Sequence, residues 1–370
     1  MSDVFAVAEL LIDYLKKNHG DEVDLVAYYG SYAQGVAAEH SDLDFFYVPA
    51  AGCNPPIARC FLLDGRLFDF WPLSWQTLAG FATGTLRCWA FAPALVYHAQ
   101  VLYARSDEAV ERLGGLKGQV SALQQEGAKA QMLERALERF VEAQAHMEEL
   151  HQGLDRGGLA AVRCASWQII EGLWETLALA NQVFFDRGFH QSLAQVQRFE
   201  HRPADMGTLL ETAATSPMSA EVVAATEALT RGTRQVLMRL QKSLPSSSIG
   251  DVFDGAYPEL KDALGKVLAL CGAGERVAAL AAAWSVQREV DELLASTRYS
   301  AVDMRFNRHD EVTAAFRSLA LPNLLADESL ELDVLATAIE HMDKALRELL
   351  SRNGVALNEF ADLSELKKAL

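Results

Sequence analysis

Three aspartates are spaced so that they could share a divalent cation. Asp42 and Asp44 flank Leu43 at the start of an apolar run, and Asp69 lies between two phenylalanines in a later run. Because successive strand residues point to opposite faces, Asp42 and Asp44 project from the face that Leu43 avoids. Asp69 is the third ligand if its strand is a neighbour of theirs.

Three carboxylates on one rigid sheet suit the chemistry of phosphate transfer. Hard cations such as Mg²⁺ take oxygen ligands, usually a few carboxylates together with phosphate oxygens and water. Moving a nucleoside monophosphate from a nucleoside triphosphate needs ions that stabilise both the attacking and the leaving oxygen. The pattern predicts Mg²⁺ as the cofactor, as two ions, held by Asp42, Asp44 and Asp69.

A turn upstream of the aspartates has the residues of a phosphate-binding loop. Gly30 and Ser31 follow the apolar run Leu25–Tyr29 and precede a short stretch that is compatible with a helix. Backbone N–H groups at such a turn, with the Ser31 hydroxyl, can hold phosphate oxygens. Gly30 lets the phosphate approach closely because it has no Cβ.

Together these motifs resemble the DNA polymerase β-like nucleotidyltransferase superfamily. The sequence GSYAQG at residues 30–35, SDLD at residues 41–44 and Asp69 match its pattern over roughly the first third of the chain. The likeness is greatest to the small bacterial branch, which includes aminoglycoside, lincosamide and minimal nucleotidyltransferases. It implies that Ser31 contacts the triphosphate, that Asp42 and Asp44 bind metal, and that Asp69 binds metal or activates the acceptor hydroxyl. Gln34 departs from the pattern, because many relatives carry Arg there.

Several neighbouring residues have competing interpretations. Asp64 is the other acid that could be the third ligand, but Asp64 and Gly65 lie between two apolar runs and predict a hairpin turn. His40 is interpreted as an exposed loop residue. For the general base we favour Asp69, which lies on a rigid strand, over Glu142 of the helical region, whose use depends on interdomain geometry.

The net charge of −17 bears on the class of substrate. Proteins that bind polynucleotides need basic surfaces, whereas both the first 120 residues and the remainder carry more acids than bases. We therefore expect no polynucleotide partner and a small-molecule acceptor. An acidic surface suits an acceptor that is cationic. No apolar run approaches membrane-spanning length, so no membrane partner is expected. Five scattered cysteines without a metal or redox motif predict reduced thiols and a cytoplasmic location.

The pattern of elements predicts an α+β protein. Strand patterns are followed from about Glu126 by helical periodicity, and the helix that contains Trp167 and Trp174 is expected to end near Gly188. A linker is predicted at Ser243–Gly250. The predicted strands are Val23–Tyr29, Leu43–Val48, Ala58–Leu63, Arg66–Trp71 and an edge strand at Val101–Tyr103. The predicted domains are a nucleotidyltransferase domain with a small mixed sheet at 1–120, a helical substrate-side domain at 121–245 and a second helical domain at 246–370.

Acidic residues of the helical region are candidates for the acceptor side of the site. Glu138, Glu142 and His146 fall on one helix face, which either presents carboxylates to the acceptor or is simply solvated. Glu171 and Glu175 form a second pair with the same two interpretations. Four basic residues are candidates for holding the triphosphate, and the sequence does not choose among them: Lys129, Arg163, Arg187 and Arg198.

The sequence predicts an enzyme that moves AMP from the co-substrate ATP to a hydroxyl of a small molecule, of the aminoglycoside type, and releases pyrophosphate. One alternative is a protein adenylyltransferase of minimal-nucleotidyltransferase type that modifies a partner protein. A second alternative is a nucleotide-binding interaction protein without turnover. The second is disfavoured because a chain without catalysis has no need to keep three like charges close together.

Overall fold

The computed structural model describes residues 4–38, 41–86, 90–186, 188–298, 309–325 and 331–369. The chain divides into two compact units, Met1–Leu237 and Met238–Leu370. A small mixed sheet near the N-terminus is followed by a largely helical region, which confirms the α+β class. The predicted domain bounds near residues 120 and 245 stay predictions.

Five strands form the sheet of the first unit, in the order β3-β4-β2-β1-β5. β2 and β4 are parallel, and the other neighbouring pairs are antiparallel. All five predicted strands are confirmed, and no strand end differs from its predicted position by more than one residue. Their bounds are β1 Val23–Tyr28, β2 Leu43–Pro49, β3 Arg59–Leu63, β4 Arg66–Pro72 and β5 Gln100–Ala104.

The two faces of the sheet bury different side chains. One face packs Leu43, Phe45, Phe68 and Phe70 against the first helix, α1 (Val4–His19). The other face, which carries Phe46, packs against α3 (Trp75–Thr83), α4 (Ala92–His98) and α5 (Asp107–Leu123). The alternation along β2 and β4 therefore leaves Asp44 and Asp69 on the face that the helices α3 to α5 cover.

Helices make up the rest of the first unit. A short helix, α2 (Gly30–Ala33), follows β1, and the helices after α5 are α6 Lys129–Ala143, α7 Met147–Gln152, α8 Gly158–Ala180, α9 Phe189–Val196, α10 Met206–Thr215 and α11 Ser219–Ser243, whose last residues belong to the second unit. A π-helical turn at Gly153–Gly157 precedes α8.

The prediction that the helix now labelled α8 ends near Gly188 is wrong, because the helix ends at Ala180. The Asn181 side chain donates to the carbonyl of Leu177 and also forms hydrogen bonds in both directions with the backbone of His201. Gln182 then takes a positive φ of 54°, which turns the chain away from the helix axis. The end is thus fixed by a partner 20 residues downstream.

In the described residues of the second unit, every secondary-structure element is a helix. Its helices are α12 Ile249–Phe253, α13 Tyr257–Gly272, α14 Arg276–Ser296, α15 His309–Ser318, α16 Leu332–Arg352 and α17 Leu363–Ala369. The predicted apolar stripes on α13 and α16 are confirmed, because residues such as Leu260, Leu264, Ile339 and Met342 are buried in one core. The chain is non-helical at residues 244–248, within the predicted linker, and α12 begins there with a capping box from Ser248.

In the described residues, no helix is both long and apolar enough to cross a membrane.

Candidate active site

The register of two parallel strands brings the predicted carboxylates together. β2 and β4 pair so that Asp44 lies directly beside Asp69, and Leu43 beside Phe68. Asp42 comes just before β2 and is exposed, whereas Asp44 and Asp69 are half-buried. The condition on which the third ligand depended, that the two strands are neighbours, is met.

The surroundings of Asp44 disfavour its ionised form. The pKa of Asp44 is raised from its usual value of 3.8 to about 6, first by burial and then by the negative charges of Asp42 and Asp69. A carboxylate with a raised pKa and two like-charged neighbours gains most from an added cation. The cluster is therefore built to receive positive charge from outside the chain.

The loop between β1 and α2 approaches this cluster closely. Gly30 has a φ of +76°, and a Cβ added there would lie 3.3 Å from Oδ2 of Asp44. The backbone N–H of Tyr29 donates to the carbonyl of Asp44 over 3.1 Å, which fixes the loop to β2. Glycine is needed at residue 30 both for the positive φ and for the close approach.

The Ser31 hydroxyl is buried and has no hydrogen-bond partner among the described residues. Leaving a buried polar group unpaired is unfavourable by about 1–3 kcal/mol. Ser31 lies one residue from Gly30, where the loop meets the carboxylate cluster. Among the described residues, nothing compensates this hydroxyl for its burial.

A cavity of about 800 Å³ opens over this cluster. Its sheet side includes Tyr29, Gly30, Ser31, Asp42, Asp44 and Trp71, and its helical side includes Phe81, Phe91, Leu95, Glu171, Phe185 and Asp186. Asp69 does not line the cavity itself but lies beside Asp44 on β4. The volume falls within the range of sites for small molecules and cofactors.

The charged side chains on the wall share one sign. Within the described residues, Asp42, Asp44, Glu171 and Asp186 are the charged side chains that line the cavity. The remaining wall is largely aromatic and aliphatic. Such a wall favours a ligand with positive charge and an apolar surface, and a polyphosphate could enter only with cations to neutralise it.

Of the acidic candidates in the helical region, one lines the cavity and the others do not. Glu171, on α8, lines the cavity. Glu175 is instead ion-paired with Arg139, which also binds Glu142 over 3.1 Å. Burial raises the pKa of Glu175, and the Arg139 charge only partly opposes this shift. Glu138 is exposed and His146 pairs with Glu149, so neither belongs to the wall of the cavity.

Three of the basic candidates do not line the cavity. Lys129 pairs with Glu126, Arg163 donates to the carbonyl of Ser216, and Arg198 lies on the exposed surface. Arg187 lies outside the described residues, as does His40. Asp64 takes the turn position that the sequence predicts, because Asp64 and Gly65 have φ values of 52° and 73° between β3 and β4.

The donors of the cluster fit Mg²⁺ in chemistry. In the part of the chain that the structure describes, no three His, Cys, Asp or Glu side chains are gathered closely enough to hold a metal ion by themselves. Mg²⁺ is usually held by one or two carboxylates together with substrate phosphates and water, so a complete protein cage is not required. Asp42 and Asp44 would supply the carboxylates, and Asp69 would support Asp44 from β4.

Some residues of the site carried no signal in the sequence. Asp186 is held by His98, whose Nε2 lies 2.9 Å from Oδ1 of Asp186. The Gln34 side chain, which replaces the Arg of many relatives, donates to the backbone carbonyl of Asp186 over 2.8 Å. These pairs join segments 88 and 152 residues apart, so no local pattern could have revealed them.

Comparison with known proteins bears on the helical part of this unit. Residues 111–242 match the model of the KNTase (kanamycin nucleotidyltransferase) C-terminal domain. The match confirms the resemblance to nucleotidyltransferases. It covers α6 to α10 with most of α5 and α11, and so includes Glu171. The sheet with the three aspartates precedes the matched region.

One solved structure is similar at a lower level. A nucleotidyltransferase-like protein from Exiguobacterium sibiricum 255-15 matches 70% of this chain and 89% of its own length, with 11% identity and a TM-score of 0.40. Similarity at this level does not bear on activity. No protein of curated function matches the chain.

Proposed function

We propose that the protein is a metal-dependent nucleotidyltransferase that moves AMP from ATP to a hydroxyl of a small cationic molecule. The observation that supports the proposal is that three features of the site lie at one cavity. These are a carboxylate cluster without a cationic partner among the described lining residues, a buried serine hydroxyl without a partner, and a glycine that meets Asp44 at close range.

Each residue has a role in this proposal. Asp42 and Asp44 would hold Mg²⁺, and the Ser31 hydroxyl would donate a hydrogen bond to a phosphate oxygen. Mg²⁺, when bound, neutralises the triphosphate and stabilises the attacking and leaving oxygens. The acceptor hydroxyl oxygen bonds to the α-phosphorus, the bond to the bridging oxygen breaks, and pyrophosphate leaves. We assign the role of general base, which takes the hydroxyl proton, to Asp69, as the sequence predicts, because Asp69 lies beside Asp44, which lines the cavity.

The acceptor lies against the helical wall. Glu171 supplies a carboxylate there, facing the same cavity as Asp42 and Asp44. Glu142 is a weaker candidate for contact with the acceptor, because it is bound to Arg139 and does not line the cavity. An acidic and aromatic wall suits an amine-bearing, hydroxylated molecule, and kanamycin is a suitable probe because the matched family model takes its name from that substrate.

The test uses ATP labelled in the α-phosphate, Mg²⁺ and the full chain, with kanamycin and related amines, with cell lysate, and with neither. We expect label on a small amine and release of pyrophosphate. Transfer of label to a protein would instead favour the protein adenylyltransferase, and binding of ATP without transfer would favour the non-catalytic alternative. Asp44→Asn serves as the control and should transfer nothing.

A further inference from the structure

A tyrosine and a tryptophan on the sheet side of the cavity are joined by a hydrogen bond. The indole Nε1–H of Trp71 donates to the hydroxyl oxygen of Tyr29 over 3.1 Å, across 42 residues of sequence. Both side chains line the cavity. Trp71 lies two residues after Asp69 on β4, so it shares the face of that carboxylate.

The bond fixes where the Tyr29 proton can point. A phenol has one O–H donor and can accept through its lone pairs, and Trp71 occupies an accepting position. Among the described residues, no acceptor receives the O–H of Tyr29. The ring itself is held against Phe46, with 6.2 Å between ring centroids. The Tyr29 hydroxyl is therefore an oriented hydrogen-bond donor that has no acceptor among the described residues.

The position of Tyr29 points to the ligand atom that it meets. It directly precedes Gly30 and Ser31, and its backbone N–H is bonded to the carbonyl of Asp44. A tyrosine hydroxyl has an ordinary pKa of about 10, so Tyr29 carries its proton at neutral pH. The described residues that line the cavity include no Lys or Arg, so hydrogen bonds to phosphate oxygens must come from neutral donors such as this O–H group.

We infer that Tyr29 is a phosphate-binding residue whose hydroxyl, oriented by Trp71, donates to a phosphate oxygen of the bound nucleotide. The inference rests on the proposed function. It assigns Trp71 a positioning role, because Trp71 acts through Tyr29. Phosphate recognition would then combine two neutral hydroxyls, from Tyr29 and Ser31, with the metal.

Binding measurements on folded protein separate this role from a structural one. Tyr29→Phe keeps the ring and removes only the hydroxyl. Titration calorimetry should show the Kd of Mg²⁺-ATP and that of Mg²⁺-pyrophosphate both rising about tenfold, because a hydrogen bond to a charged group is among the stronger ones. The affinity for adenosine, which has no phosphate, should not change. Equal pyrophosphate binding by wild type and Tyr29→Phe would overturn the inference.

The preceding residue provides the matched control. Tyr28 points to the other face of the sheet and packs against Phe5, with 5.4 Å between ring centroids. Tyr28→Phe should bind Mg²⁺-pyrophosphate as the wild type does. A Tyr28→Phe loss equal to that of Tyr29→Phe would mean that the measured effect is a general one on the sheet, and it would contradict the inference.

Trp71→Phe tests the orienting bond. It leaves the phenol in place, so we expect a smaller rise in Kd, about two- to threefold, and no further rise when it is combined with Tyr29→Phe. Additive effects would contradict a role exerted through Tyr29. If Tyr29→Phe does not fold, unchanged pyrophosphate binding by Trp71→Phe overturns the inference. Failure of the wild type to bind Mg²⁺-ATP would overturn the proposed function as well, whereas wild-type binding with an unaffected Tyr29→Phe overturns the inference alone.

Discussion

Two aspartates, one in each unit, are partly buried in opposite electrostatic surroundings. Asp44 is buried beside two other carboxylates, and its pKa rises to about 6. Burial also opposes ionisation of Asp343, on α16, but hydrogen bonds from Lys261 and Tyr257 outweigh it and hold the pKa of Asp343 below its usual range. Those bonds measure 2.6 and 2.7 Å, and Arg347 lies 3.5 Å from the same carboxylate.

The difference distinguishes a carboxylate that serves the fold from one that awaits a ligand. Asp343 receives its compensating charge from its own chain, so its ionised form stabilises the second unit. Asp44 receives only like charges from its neighbours, so its ionised form is unfavourable until a cation arrives from solution. Four predictions follow this contrast.

The largest expected effect is on transfer. Asp44→Asn should lower the rate of AMP transfer by roughly 10³-fold or more, because metal stabilisation of the transition state is a matter of several kcal/mol. Asp343→Asn should transfer at the wild-type rate under conditions in which it is folded. Single-turnover transfer of labelled AMP is the measurement. A wild-type rate in Asp44→Asn would remove the contrast between the two residues.

The second prediction concerns the general base. Asp69→Asn should slow single-turnover transfer by about 10²–10⁴-fold, the usual contribution of a positioned base, and should also weaken binding of Mg²⁺-ATP. Glu171→Gln should leave Mg²⁺-ATP binding intact and raise the KM for the acceptor. Glu142→Gln is the matched control and should change neither. Normal transfer by Asp69→Asn, with slow transfer by Glu171→Gln, would show that the general base is Glu171 on α8 and not Asp69.

The third prediction concerns stability of the second unit. Asp343→Ala leaves Lys261 and the buried Tyr257 without their acceptor and should lower the free energy of unfolding by about 1–3 kcal/mol. Asp262 forms an exposed ion pair with Lys266, so Asp262→Ala should change the free energy of unfolding by less than about 0.5 kcal/mol. Urea unfolding of both variants provides the comparison. Equal losses would show that the Asp343 cluster behaves as an ordinary surface pair.

The smallest expected effect is the pH dependence of metal-free protein. Folding raises the pKa of Asp44 from 3.8 to about 6, so the unfolded chain loses this proton at a lower pH than the folded protein does. As the pH rises from about 4 to 6, Asp44 therefore lowers the free energy of unfolding by a growing amount. Two pKa units correspond to about 3 kcal/mol, which partial exposure reduces to about 1–2 kcal/mol.

Asp44→Asn should therefore unfold at a higher temperature than wild type at pH 7.5 in EDTA, and the difference should vanish towards pH 4. Saturating Mg²⁺ should reduce the difference at pH 7.5, because it stabilises only the protein with the carboxylate. A difference that is independent of pH would mean that the Asp44 charge is not the cause.

Local patterns predicted the strands and much of the helical core. The alternation around Leu43 placed Asp42 and Asp44 correctly relative to the buried side chains, because side-chain direction in a strand depends only on position. The hairpin at Asp64 and Gly65 was predictable for a similar reason, since both residues tolerate positive φ. The end of α8 was not predictable, because Asn181 is held by His201 from a later part of the chain.

The sequence by itself determined which residues have the chemistry: the Gly-Ser turn, the alternating aspartates and the lone acid of β4. Only the tertiary structure decided that β4 pairs with β2 in the register that puts Asp69 beside Asp44. It also decided that Glu171 lines the cavity while Glu142 is ion-paired with Arg139, and that Trp71 donates a hydrogen bond to Tyr29. The physical reason is the range of the interactions. Strand alternation and turn geometry act between neighbouring residues, whereas strand register, ion pairing and cavity walls depend on residues that only the complete fold brings together.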